Sequence, residues 1–426
     1  MLSLKNITQS KLIRNSAKLL SANAIAQAIG LLVYPILSRL YTPEDFGLLN
    51  LFLGLGGLLV LLSTAEYQYA ILLPREERKS KGAFQVCMVL LLSTTLLLVL
   101  TMPFRESIAL CFKAEQLVDY YFLLPIFVLL GGLWNVLNMY YTRKKLFNAV
   151  SAYQLSQSIL SSGAKIALFY TPLQMGGLLY ATVIASLGAC VATISRHLKG
   201  QLKELLSFDK LAFKTALIEY RKFPVFSLPR AFANNLSNTL PTLLLTPFFG
   251  LSLVGYFSMA VTLAFRPIAM ICNSIHQVLF QRVVEQVNLQ QSIIGLFKRY
   301  SLYTILLIIP IFVVLYILMP TLVIWLLGEG WEMTATCIRW MLPWLCITCL
   351  SSPICFVSDV FMQQKVGFVF EMLIVLMRLL GIMIGILTNS FMNAVMGYCL
   401  MSAVILFIQW LWFIWLVLRY EKKRIG

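Results

Sequence analysis

Seven ionisable side chains lie inside long apolar stretches of this 426-residue chain, where a charge is expensive to bury. Five are cations and two are carboxylates: Lys165, Arg230, Arg266, Arg339, Arg378, Glu66 and Glu371. Arginine offers phosphate and carboxylate oxygens two parallel N–H donors, so the cations suit an anionic ligand. A carboxylate within an apolar segment suits a transferred proton or sodium ion. The chemistry to expect is binding and movement of charged species in an apolar medium.

Amide side chains share helical faces with each other and with one of these cations. Asn23 and Gln27 are four residues apart, and Arg230, Asn234 and Asn238 follow one another at the same interval. An interval of four keeps side chains on one face of a helix. These amides could therefore offer a row of weak, replaceable hydrogen bonds to a hydroxyl-rich ligand.

The composition assigns these residues to a membrane protein. Hydrophobic residues make up 60% of the chain and charged residues 12%, against roughly 25% charged in an ordinary globular domain. There are 34 Lys and Arg against 17 Asp and Glu, but the cations form short clusters between apolar runs. Because no basic stripe with interleaved aromatic residues is present, the excess positive charge does not indicate nucleic-acid binding. Apolar runs of spanning length predict an all-α polytopic membrane protein with twelve helices, at about 17–38, 46–72, 83–103, 120–141, 150–170, 175–195, 224–247, 252–280, 298–319, 333–357, 366–387 and 393–418.

The distribution of basic residues predicts the orientation in the membrane. With both termini in the cytoplasm, the inner segments carry 26 Lys and Arg and the outer loops only Arg39, Arg105 and Lys113. Positive charge accumulates on the cytoplasmic side of membrane proteins, and one missed span would invert every later loop. This topology places Arg266 and Arg378 near the bilayer centre and Arg39 at the outer mouth. If the buried cations face inward, they form a ladder of positive charge across the bilayer.

The longest polar stretch divides the predicted spans into two sets of six. We expect an N-terminal lobe at 1–195, a cytoplasmic connecting segment at 196–223 and a C-terminal lobe at 224–426. An offset of 208 residues aligns Tyr41 with Phe249 and Gly47 with Gly255, which suggests an internal repeat. Two lobes with an even number of spans enter the membrane in the same sense, so we expect pseudo-symmetric lobes around a central cavity near the midplane.

Four segments resemble a known family. PILSRLYTPEDFGLLNLF (Pro35–Phe52) looks like its signature at the first and second spans, and EYQYAILLPREERKS (Glu66–Ser80) fits the end of the second. MYYTRKKLFNAVSAYQLSQS fits its fourth-to-fifth connection, and GYFSMAVTLAFRPIAMICNSIHQVLF (Gly255–Phe280) fits its eighth span. The family is the Wzx-type O-antigen flippases, polysaccharide-biosynthesis exporters of the multidrug/oligosaccharidyl-lipid/polysaccharide (MOP) exporter superfamily.

This resemblance implies a flippase for undecaprenyl-pyrophosphate-linked oligosaccharides in the bacterial inner membrane. The pyrophosphate and any acidic sugar would meet the cations, and Glu66 and Glu371 would serve ion coupling. Expected partners are the lipid-linked oligosaccharide, membrane lipids, and a polysaccharide polymerase with its chain-length regulator. We expect no cofactor, no bound metal and no nucleic acid.

Structural roles remain open for several of these residues. Arg230 and Lys165 lie near enough to span ends to anchor the helices at the interface. Arg339 stands beside Trp340 and Trp344 and suits an interfacial aromatic belt. Arg378 and Glu371 are too far apart along one helix for direct contact, but each could form an ion pair with another helix. Glu66 could equally be a packing residue at the inner rim.

Two other functions are weighed against a flippase. A membrane polymerase or ligase needs catalytic groups at the outer surface, whereas the predicted outer loops are short, lack histidine and carry no catalytic motif. A small-molecule or cation antiporter of the same superfamily favours several buried acids, whereas five buried cations stand here against two acids.

Overall fold

The described part of the computed structural model, residues 21–198, 205 and 207–425, is helical and contains no strand. The predicted all-α membrane fold is therefore confirmed. Residues 1–20, which include the start of the predicted first span, lie outside the described residues. So do residues 199–204 and 206 of the predicted connecting segment.

Long helices follow one another at the predicted positions. They are α1 (Ser21–Leu40), α2 (Pro43–Thr64), α3 (Glu77–Leu100), α4 (Leu123–Arg143), α5 (Phe147–Phe169), α6 (Gly177–His197), α7 (Leu228–Phe249), α8 (Leu251–Asn288), α9 (Ile294–Leu327), α10 (Glu332–Ser351), α11 (Gln364–Leu387) and α12 (Phe391–Ile425). Within the described ranges, ten helices are long and apolar enough to cross a membrane. The other two long helices, α5 and α7, carry more polar side chains, and their crossing stays a prediction.

The signature segment between the first two helices is a helix-capping device. Thr42 accepts a hydrogen bond from the Asp45 N–H, and the Asp45 carboxylate accepts one from the Thr42 N–H at 2.9 Å. With Pro43 in the first turn, this reciprocal cap determines where α2 begins. Tyr41 then donates its hydroxyl to the Lys165 carbonyl oxygen on α5 at 2.8 Å. The signature segment therefore determines where α2 begins and attaches that end of the helix to α5.

By internal contacts the chain forms two compact units, Met1–Thr239 and Leu240–Gly426. The boundary falls within α7 rather than in the connecting segment at 196–223, so the lobe limits 1–195 and 224–426 stay predictions. In the first unit, α3 and α4 share a buried core with the short helix Lys210–Glu219, called here the connecting helix. Gly82 permits this contact, because a Cβ there would lie 2.3 Å from the Ala212 carbonyl oxygen.

In the second unit, α11 and α12 form an exceptionally close helix pair. A Cβ at Gly381 would lie 2.4 Å from the Gly397 carbonyl, and one at Gly385 would lie 2.2 Å from the Ala394 Cβ. Small residues let membrane helices approach backbone to backbone. This crossing determines which side chains of the two helices meet.

Two local predictions differ from the structure. The second span was expected to continue to residue 72, but α2 ends at Thr64, and Ala65 and Glu66 both take left-handed backbone conformations. Glu66 therefore lies in the connection to α3 and not inside a span. A π-helical turn, Val261–Phe265, ends two residues before Pro267, and α8 continues to Asn288 instead of ending near residue 280 as predicted.

Candidate functional site

The predicted amide faces on α1 and α7 are confirmed. Gln27 donates its Nε2–H to Asn23 Oδ1 at 3.0 Å, and Asn238 donates its Nδ2–H to Asn234 Oδ1 at 3.2 Å. All four side chains are exposed. Asn23, Gln27 and Asn234 therefore keep amide groups for a polar ligand, while Asn238 has a further contact within the molecule.

Arg230 extends the amide row of α7 towards the beginning of the helix. It stands just after a π-helical turn, Phe223–Ser227, and four residues before Asn234. Its side chain is exposed, and within the described residues it makes no hydrogen bond or ion pair. All its guanidinium donors are thus available on the same face as the two asparagines.

Arg266 is the other arginine among the predicted site residues whose guanidinium donors are unused within the described residues. Arg230 and Arg266 are called here the open arginines. It follows the π-helical turn of α8 directly, and its backbone N–H donates to the Val261 carbonyl oxygen five residues earlier. The side chain is exposed and has no hydrogen bond or ion pair with any described residue. A cation with unused donors in an apolar helix suits an anionic group.

Arg339 and Arg378 are instead held by aromatic rings. The Arg339 guanidinium lies 5.1 Å from the Tyr316 ring centroid, and its Nε–H donates to the Tyr316 carbonyl oxygen at 2.9 Å. Arg378 is only 8% exposed and lies over the rings of Trp344 and Tyr398. Sequence reasoning did not identify these ring partners, because they lie on α9, α10 and α12 at no regular spacing from the arginines.

The remaining cations, Lys165 and Arg39, lie in the last two turns of their helices in the first unit. Lys165 is half-buried on α5, where its carbonyl anchors Tyr41. Arg39 is exposed in the last turn of α1. Both side chains have further contacts within the molecule.

The two predicted coupling carboxylates differ in burial. Glu66 is 6% exposed, and Gln68 donates to its Oε1 at a long 3.5 Å. Burial raises the pKa of Glu66, and the Gln68 contact only partly opposes this shift. Thr64 Oγ1 and Gln68 Oε1 are also buried, with no hydrogen-bond partner in the described ranges. Glu371 on α11 is half-buried. Glu66 is thus the carboxylate better placed to hold a proton.

A polar cavity lies at the beginning of α3. It has a volume of about 390 Å³ and is lined by Glu77, Arg78, Lys81, Lys144 and Asp209, among others. Arg78 donates to Asp209 at 2.8 Å, and Lys144 pairs with Glu77 at 2.8 Å. The charged side chains that line this cavity therefore largely pair with one another.

No group of three or more His, Cys, Asp or Glu suited to a metal ion occurs in the described residues.

Comparisons with known proteins give a family and a fold. A family model described as polysaccharide biosynthesis protein matches residues 36–336. An inward-facing multidrug resistance MATE family transporter of the MOP superfamily has a similar structure, with a TM-score of 0.70 at 15% identity over 93% of this chain and 96% of that one. The lipid II flippase MurJ, in an inward closed conformation, gives 0.69 at 14% identity over 97% of this chain and 92% of that one. No curated protein matches in sequence.

Proposed function

Because this chain belongs to the polysaccharide biosynthesis protein family and has the fold of MOP exporters, we propose that it flips undecaprenyl-pyrophosphate-linked O-antigen or a related oligosaccharide. The chain, a multi-pass membrane protein, acts in this proposal as a transporter and not as an enzyme. In this proposal the lipid-linked unit moves from the cytoplasmic to the periplasmic leaflet of the inner membrane by alternating access. Both termini lie in the cytoplasm.

The observation that carries the proposal is the pair of open arginines. Arg230 and Arg266 hold unused guanidinium donors, and on an apolar helix such as α8 an unpaired cation is costly unless an anion is bound during part of the cycle. A pyrophosphate supplies such an anion, and its oxygens fit the arginine fork. The amides of Asn23, Gln27 and Asn234 suit sugar hydroxyls. Arg39, Lys165 and Asn238 extend the proposed path. Arg339 and Arg378 support this path from positions in which aromatic rings hold their guanidinium groups.

Ion coupling is assigned to Glu66 before Glu371. Glu66 is buried, makes no ion pair within the described residues and has a pKa raised by burial, so it holds a proton more readily than an exposed carboxylate. A drug antiporter of the MATE type is the second candidate, because the MATE match has the same fold. The open arginines favour an anionic glycolipid over a cationic drug.

The test measures surface polysaccharide in a strain that lacks the gene. Complementation with the native chain should restore long-chain polysaccharide on a gel. Arg266→Lys should restore it in part, Arg266→Ala should lose most of it, and Arg266→Glu should abolish it, at equal protein levels in the membrane. One charge-assisted contact is worth roughly 1.5–3 kcal/mol, about a tenfold to hundredfold loss. Arg39→Ala, at the mouth, should have the milder effect.

Normal export by Arg266→Glu at matched protein level would contradict the cationic path. A deletion strain with unchanged polysaccharide but increased drug sensitivity would favour the antiporter. The orientation is tested by reporter fusions: those after Lys145 and Lys222 should be cytoplasmic, and those after Pro172 and Gly250 periplasmic. A reversed result at any of these sites would overturn the proposed topology.

A further inference from the structure

Arg378 lies in an aromatic pocket in the interior of the second unit. Its guanidinium is 5.3 Å from the ring centroid of Tyr398 and 5.7 Å from that of Trp344. Its Nε–H donates to Ser402 Oγ at 3.3 Å, and Ser402 donates in turn to the Tyr398 carbonyl oxygen at 2.7 Å. Such a desolvated cation holds the faces of both rings towards itself.

The close crossing of α11 and α12 creates this pocket. Gly381 lies one turn after Arg378, and Gly397 lies next to Tyr398. Because neither glycine has a Cβ, the two backbones touch, and Arg378 reaches Tyr398 and Ser402 on the neighbouring helix.

The same rings also contact α8 at two points. Phe265 stacks on Trp344 with centroids 5.1 Å apart and planes inclined by 11°. Phe257 meets Tyr398 edge to face at 5.9 Å, and Trp344 meets Tyr398 edge to face at 5.5 Å. Phe257 precedes the π-helical turn of α8 and Phe265 ends it. The aromatic cluster therefore holds α8 on both sides of the turn.

The π-helical turn determines where Arg266 points. Its defining hydrogen bond, from the Arg266 N–H to the Val261 carbonyl oxygen, spans five residues instead of four. Relaxation of the turn to a regular α-helix would rotate the following residues by about 100° relative to those before it, one residue's share of a helical turn. The direction of the open Arg266 side chain thus depends on keeping the extra residue in place.

We propose that Arg378 is a positioning residue for Arg266. Its contacts with Trp344 and Tyr398 hold these rings against Phe265 and Phe257, which keeps the π-helical turn and directs Arg266 into the substrate path. Arg378 itself does not touch the substrate. The role of Arg266 rests on the proposed function, whereas the coupling between Arg378 and the turn does not.

Hydrogen–deuterium exchange of the purified full chain, without substrate, tests the coupling directly. Arg378→Met keeps the length of the side chain and removes the charge, and it should speed amide exchange in peptides covering residues 257–268 about tenfold. Arg378→Lys retains a cation and should change exchange much less. Arg419→Met is the matched control, because Arg419 lies 5.3 Å from the Trp415 ring but far along α12 from the pocket. It should leave exchange at 257–268 unchanged.

Phe265→Leu provides a second variant that keeps the Arg378 side chain and its charge. It should speed exchange in the same peptides, so the proposal remains testable if Arg378→Met fails to accumulate. Unchanged exchange in Phe265→Leu, or in a folded Arg378→Met, would overturn the coupling. Faster exchange spread equally over α10, α11 and α12 would also overturn it, because that indicates general loosening of the unit.

Export measurements separate positioning from substrate contact. If Arg378 acts through Arg266, Arg378→Met combined with Arg266→Ala should export as much as Arg266→Ala alone. A double variant that exports about tenfold less than Arg266→Ala would show a separate contact with substrate and overturn the proposal. Should Arg266→Ala export normally while Arg378→Met still speeds exchange at 257–268, the proposed function fails and the structural coupling stands.

Discussion

The two compact units stabilise their cations with different partners. In the first unit, Arg143 donates to the carbonyl oxygens of Ile71 at 3.0 Å and Pro74 at 2.6 Å. Lys144 pairs with Glu77 at 2.8 Å, and its ammonium also lies 5.9 Å from the centroid of the Tyr140 ring. In the second unit, Arg339 and Arg378 lie over aromatic rings. The difference follows position along the helices: the first group stands at helix ends, and the second stands within apolar helices.

The comparison shows what an apolar helix demands of a buried cation. A carboxylate partner would also have to lose its hydration, and the attraction between the two charges often fails to compensate for this. An aromatic ring attracts the cation through its quadrupole without adding a second ion. At the end of α12 the pattern returns to an ion pair, where Arg424 donates to Glu421 at 3.1 Å. The kind of partner that a cation meets therefore depends more on its position along the helix than on the unit to which it belongs.

The largest expected effect comes from separating α11 and α12. Gly381→Ala places a Cβ 2.4 Å from the Gly397 carbonyl, so the helices must move apart and the pocket of Arg378 must open. We expect a loss of stability on the order of 2–3 kcal/mol, typical of overpacking a tight contact. Thermal unfolding in detergent measures it. Gly367→Ala is the control, because its nearest neighbour would be 3.5 Å away; equal melting of the two variants would contradict the role of the crossing.

A smaller and more local effect is expected at Arg143. Arg143→Met leaves the carbonyl oxygens of Ile71 and Pro74 without their donor, and an unsatisfied buried acceptor costs about 1–3 kcal/mol. The turn before α3 should open more often, which trypsin cleavage after Arg75 and Arg78 detects. Arg378→Met should not accelerate cleavage at this turn. If it does, the two units do not hold their cations independently.

The smallest effect concerns Asp209, at the beginning of the connecting helix. Arg78 and the Ala212 N–H hold the pKa of this carboxylate at about 2, below its ordinary value of 3.8. Because the folded-state pKa is lowered, the contribution is fully present above about pH 4 and is lost as the pH falls through 2. A spin label at Thr215 should therefore stay immobile from pH 7 to pH 4 and become mobile only below.

Asp209→Asn should make this label more mobile already at neutral pH, since it removes the ion pair and weakens the cap on Leu211 and Ala212. The effect should be modest because Arg78 is largely exposed, and added salt should not enlarge it. A label that becomes mobile between pH 7 and pH 5 in the native chain would contradict the assignment to Asp209.

Local patterns in the sequence predicted much of the scaffold. Apolar runs located the long helices, because hydropathy acts over neighbouring residues. The interval of four placed Asn23 beside Gln27 and Asn234 beside Asn238, since helical geometry alone determines that contact. The position of Glu66 was predicted wrongly within a span, because the apolar run continues past Thr64 although the helix ends there.

Composition and spacing by themselves determined that the chain is a helical membrane protein with cations on apolar helices. Only the tertiary structure decided that Arg266 and Arg230 stay open while Arg339 and Arg378 meet aromatic rings. Trp344, Arg378 and Tyr398 lie on three helices, and their meeting depends on where α11 and α12 cross. The physical reason is that a helix sets the direction of each side chain along its own axis, whereas the packing of helices distant in sequence selects the partner that each side chain meets.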